Sequence, residues 1–97
     1  MHRYKLLTDI KIYLPKEAFH PTRGVLENLK VGDYVKIGVI STNRRREIFW
    51  CKVKSIGDSL KVEVNQELLL TQKHGLSAGS ELLIQKKNIA GVMHGGF

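Results

Sequence analysis

Hydrophobic and polar residues alternate with a period of two along most of this chain, the pattern of strands with one buried face. Ile10, Ile12 and Leu14 alternate with Lys11 and Tyr13, which predicts a strand ending at Pro15. Residues 15–24, with Pro15, Pro21 and Gly24, read as an irregular connector. Leu26 and Leu29 lie three apart and predict one short helical turn over residues 25–30, too short to persist without tertiary packing. A Gly32-Asp33 turn follows. Val35, Ile37 and Val39 then alternate with Tyr34, Lys36 and Gly38, and a polar loop runs from Ser41 to Arg46. In the next predicted strand Phe49, Cys51 and Val53 form one face and Trp50, Lys52 and Lys54 the other. Leu60, Val62 and Val64 face inward beyond the Gly57-Asp58-Ser59 turn. Two further strands are expected, at Glu67–Thr71 and around Leu82–Ile84, with a turn at Gly75–Gly79 between them.

Five or six short strands with turn signals every 8 to 12 residues predict an all-β fold. A small antiparallel barrel or curled sheet satisfies the pattern, because closure removes edges that so short a chain lacks helices to cover. The SH3-like version is preferred and an OB-like barrel is the alternative. No stretch is long enough to serve as a βαβ crossover helix. At 97 residues the chain holds one modest core. A β-rich domain over residues 1–93 is expected, with residues 94–97 as a frayed tail.

Composition adds a bias towards polyanions. Sixteen Lys and Arg against nine Asp and Glu give a net charge of +7, with ten of the basic residues before residue 49. Such a charge favours nucleic acid and also serves solubility. The lone Cys51 rules out an intrachain disulfide and fits a reducing cytoplasm. No apolar run approaches a membrane span, and the N-terminus lacks the apolar region of a signal peptide.

Catalytic chemistry finds little footing. His2, His20, Cys51, His74 and His94 are scattered without the pairwise spacing of a structural zinc site, so neither metal nor other cofactor is expected. Cys51, between Phe49 and Val53 on an apolar face, reads as a small buried hydrophobe. His74 could serve as a general base only if folding brought a nucleophile to it, and the glycine patterns of phosphate-binding loops are absent. The most distinctive feature is a basic and aromatic stretch: Arg44, Arg45 and Arg46 on a loop, then Trp50, Lys52 and Lys54 on one strand face. An indole can stack on a base while guanidinium and ammonium groups meet phosphates. The expectation is a basic, non-enzymatic binding domain, with nucleic acid ranked ahead of a protein partner or a homodimer. An enzyme with a site assembled only in space ranks last.

The stretch from Arg46 to Asp58, with its Phe49-Trp50 pair and Val53, resembles a family of small bacterial β-rich domains of no assigned activity. In that family an aromatic-Trp pair opens a strand, and a Gly-Leu-x-x-Gly-Asp turn leads into a later one. Here the turn is Gly75-Leu76-Ser77-Ala78-Gly79-Ser80, followed by Glu81–Ile84 and Asn88-Ile89. The match runs from Arg46 to Ile89 and departs at Cys51, where valine is usual, and at Ser80, where aspartate is usual. The resemblance implies a β-rich domain in which Trp50 and Gly75–Gly79 shape the fold. It assigns no catalytic residue.

Overall fold

A computed structural model describes residues 3–95 of the chain. Six strands form one curled, mostly antiparallel sheet, a half-barrel with little helix: β1 (Tyr4–Leu6), β2 (Tyr34–Ser41), β3 (Arg46–Ile56), β4 (Leu60–Val64), β5 (Glu81–Ile84) and β6 (Gly91–Met93). Strands β1 to β5 neighbour one another in sequence order. Strand β6 joins β2 on the edge that β1 leaves open, with β1 pairing residues 39–41 and β6 pairing residues 34–36. The curl follows from β3, which changes partner along its length. Arg46 to Lys52 pair with β2, whereas Cys51 to Ile56 pair with β4 across a register shift between Val53 and Ser55.

The alternation read from the sequence fills the concave side. Val35, Ile37, Val39, Phe49, Cys51, Val53, Val62 and Val92 have no exposed surface, and Leu60, Val64, Leu82 and Ile84 close around them. Such a layer can hold together a domain of this size through apolar burial alone. Helix α1 (Arg23–Glu27) begins at Thr22, whose hydroxyl accepts the Val25 amide, and lays Val25 and Leu26 against the core.

Three expectations are corrected. Residues 10–14 are not a strand but an extended strap across the convex side of the sheet. Gly38 and Gly91 make room for it: a β-carbon on Gly38 would stand 2.9 Å from Ile10 Cδ1 and 3.1 Å from Leu7 Cδ1, and one on Gly91 would stand 2.6 Å from Leu14 Cδ2. Residues 67–71 do not form a strand either. The chain there loops out and enters a single helical turn, α2 (Thr71–His74), because the Leu69 and Leu70 amides are taken by a side chain rather than a neighbouring strand. Helix is therefore not confined to residues 25–30; a 3-10 turn at Lys86–Asn88 adds a third short piece.

At the end of the described chain, Asp33 accepts the Lys30 amide at one carboxylate oxygen and the Gly95 amide at the other. Its own carbonyl accepts the Val53 amide. This buried carboxylate ties residue 95 to the turn before β2.

Candidate nucleic-acid interface

The convex side carries Lys5, Lys36, Arg46 and Lys52, and the strand register sets their neighbours. Trp50 on β3 lies directly opposite Lys36 on β2, and the Lys36 ammonium sits 5.3 Å from the centre of the indole ring. At that distance the cation is attracted to the ring's negative face. Trp50 is half-buried, since its own amide donates to Gln66 Oε1 and its carbonyl accepts the Asn65 amide, drawing that loop alongside. One step along, Lys52 faces Tyr34, with Met93 beyond it on β6. At the other end of the same strand face, exposed Arg46 and Lys5 flank Ile40 from opposite sides. At about 3.3 Å per residue, Arg46 and Lys52 lie roughly 20 Å apart along β3.

The six residues singled out in the sequence do not form one uniform face. Arg46, Trp50 and Lys52 share the convex side of β3, as alternation requires. Lys54 is exposed at the register shift, unpaired between Val53 and Ser55 of the β3–β4 ladder. Arg44 and Arg45 sit on the loop between β2 and β3. Arg44 adopts a left-handed backbone there (φ 65°) and borders a depression of about 410 Å³ with Tyr4, Lys5 and Thr42. Arg45 has the opposite parity to Arg46, and its amide donates to Ser41 Oγ. Between the two basic ends the strap intervenes, with Leu7 and Ile10 seated over Gly38 beside Ile48. Towards β4 and β5 the charge becomes mixed: Glu63 faces Lys52, Glu81 faces Glu63, and Lys61 reaches Glu81 at 3.8 Å. The positive region is therefore centred on β1, β2 and β3. Lys36 and Lys5 belong to it, although only the strand register could have found them.

The histidine with the most suggestive partner is His74. Its ring is buried, Nδ1 accepts the Leu76 amide at 3.0 Å, and Nε2 lies 2.9 Å from Glu47 Oε1. The acceptor role of Nδ1 places the ring proton on Nε2, which donates to the carboxylate. Both ring nitrogens are thus engaged within the fold, and neither faces a reactant, as a general base must. Glu47 also accepts the Leu69 amide at 2.7 Å and the Leu70 amide at 2.9 Å, so the pair braces the 69–76 segment against β3. Sequence reasoning did not single out Glu47.

Cys51 is likewise enclosed. Burial pushes its thiol up to about 12, far from the thiolate a nucleophile needs. A disulfide reagent at pH 8 is expected to leave the native protein unmodified and to react promptly once urea unfolds it. Labelling of the native protein at the rate of a free thiol would show the strand to be open. Among the described residues no three of His, Cys, Asp and Glu gather as a metal site would require. His20 and His94 are exposed, His94 stacking against Phe19 at 5.2 Å, and His2 lies outside the described residues. No described helix is long and apolar enough to cross a membrane.

No family model matches this chain, and no curated protein or solved structure matches it either.

Proposed function

We propose that this domain binds single-stranded nucleic acid on the convex side of β1, β2 and β3. Trp50 provides the stacking surface, and Lys36, Lys52, Arg46, Arg44 and Lys5 meet the phosphates. The observation that carries the reading is the Lys36 ammonium against the Trp50 ring, with Arg46 and Lys52 on the same strand face. Among the described residues none of these five cations is held by a carboxylate within ion-pair distance. Their charge is therefore free to act on a polyanion. We read the barrel type as SH3-like, because β1 to β5 follow one another in order, whereas an OB-like barrel has Greek-key order. The single buried thiol fits a cytoplasmic setting.

The test is a titration of the single tryptophan's fluorescence with a mixed-sequence oligonucleotide. Five phosphate contacts on a single strand give a salt slope of about −3.5, so affinity is expected to fall roughly 500-fold between about 50 and about 300 mM salt. Replacing Arg44, Arg45 and Arg46 together by alanine removes exposed side chains, leaves the fold intact, and flattens the slope by about 0.7 for each arginine that meets a phosphate. Emission that ignores the oligonucleotide at low salt would overturn the proposal.

Self-association is the second reading, favoured by one observation. Among the described residues strand β5 pairs with β4 alone, and Leu83 on it is 66% exposed. Sedimentation that shows a dimer insensitive to salt would move the assignment to that edge.

A further inference from the structure

A second site lies where three distant parts of the chain meet around a cleft of about 520 Å³, one of them the strap that seats Ile10 over Gly38. Its floor is aliphatic, built from Ile10, Ile12, Leu26, Ile89 and Ala90, and its rim carries Lys11, His20, Lys86 and Lys87. Each wall is pinned. The Asn88 side chain donates to the Leu7 carbonyl and accepts the Gln85 amide, which locks the 3-10 turn to the strap. Phe19 and Val92 exchange both backbone hydrogen bonds, at 2.7 and 2.9 Å, which fixes the wall that continues into His20 and Pro21. Thr22 caps the helix that brings in Leu26. The volume falls within the range of preformed small-molecule sites.

The lining limits what can enter. An aliphatic floor without polar side chains leaves any polar group on the ligand's body without a partner, which is costly. Apart from the His20 ring on the rim, no aromatic side chain lines the cleft to stack on a planar ligand. The rim sets three lysines against the single carboxylate of Asp9. Among the described residues none of the three lysines is in an ion pair. Ammonium groups act as point charges and attract an anionic head without demanding a bidentate geometry.

We propose that this cleft binds a small aliphatic carboxylate, its chain on the Ile10–Ile12–Leu26–Ile89 floor and its head among Lys11, Lys86 and Lys87. The site shares no contact residue with the proposed nucleic-acid face. The probe is decanoate, followed by amide chemical shifts in the full-length protein, with acetate and 1-decanol as head-only and chain-only controls. Decanoate is expected to shift residues 10–12, 20–26 and 86–90 and to bind at least tenfold more tightly than either control. The double variant Lys86→Glu/Lys87→Glu changes two exposed side chains. It is expected to retain the native spectrum elsewhere and to lose about tenfold in decanoate affinity. The triple arginine variant is expected to bind decanoate unchanged, which separates this site from the basic face. Absence of shifts with decanoate, equal binding of acetate, equal binding of 1-decanol, or unaltered affinity in the lysine variant would each overturn the assignment.

Discussion

Replacing Glu47 by alanine is expected to destabilise this domain by about 3–4 kcal/mol, measured as a shift of the urea midpoint at constant slope. The carboxylate accepts three N–H groups, from Leu69, Leu70 and the His74 ring. The Leu69 and Leu70 amides lie in a loop that water can reach. The His74 ring cannot be rescued in the same way, because its side chain has no exposed surface and Nε2–H would be left facing a cavity. An unpaired buried donor and the loss of charge-assisted bonds together give the figure. A domain of this size typically has only about 5–15 kcal/mol in total. Glu47→Gln retains one acceptor oxygen but turns an amide N–H₂ towards donors, so about half that loss is expected.

The same residue gives stability a pH dependence of definite sign. Burial pushes the Glu47 carboxyl upward, but the Leu69 amide, the His74 ring and the Leu70 amide together outweigh it and hold the pKa below the ordinary 4.5. A carboxyl depressed in the folded state contributes its full stabilisation above its unfolded value and loses it as pH falls through the folded value. The wild type is therefore expected to weaken as pH drops below about 4.5, and Glu47→Gln to remove part of that slope. An acid limb identical in wild type and variant would show that other carboxylates carry the acid sensitivity.

Phe49→Ala is the second large effect, expected to cost about 3–5 kcal/mol. Phe49 has no exposed surface, pairs with Ile37 across β2 and β3, and stands 6.5 Å from the His74 ring. Truncation leaves a void that surrounding strands cannot close without breaking their ladders. In contrast to the Glu47 variants, this loss carries no charge and is expected to be flat from pH 4 to pH 8, roughly. A loss below about 1 kcal/mol would mean that the His74 segment moves in to fill the space. Because both residues touch His74, the double variant is expected to depart from additivity.

Alternation predicted the core because, in β2, β3 and β4, burial and backbone pairing coincide. Val35–Val39, Phe49–Val53 and Leu60–Val64 show period two and also exchange ladder hydrogen bonds. The strap separates the two properties. Ile10, Ile12 and Leu14 are half-buried and Lys11 and Tyr13 exposed, as a strand would have it, yet the segment belongs to no ladder. Alternation reports which side is covered, not who accepts the amides. The triple leucine at 68–70 misled for a related reason, since Leu69 is 91% exposed and its amide answers to a side chain far away in sequence. Strand β6 has no strand signal in the sequence, because a glycine stands at position 91, where Leu14 needs room. On the convex face, parity alone grouped Arg46, Trp50 and Lys52, but Lys36 entered only through register. The cleft was beyond reach, because its walls are brought together from residues 9–12, 20–26 and 86–90.

The strap over Gly38 and Gly91 also sets an order of assembly. Leu14 is translated well before its seat, a glycine 77 positions later on a strand that itself needs β2 as a template. Until residue 91 has emerged and paired, Leu14 lacks its seat, whereas Leu7 and Ile10 need only Gly38 on β2. The apolar residues of the strap are thus translated before their seat is complete, and the growing chain carries Leu14 unburied during that interval. The lysines and arginines around these residues, Arg3, Lys5, Lys11 and Lys16, repel their counterparts on neighbouring nascent chains in the meantime.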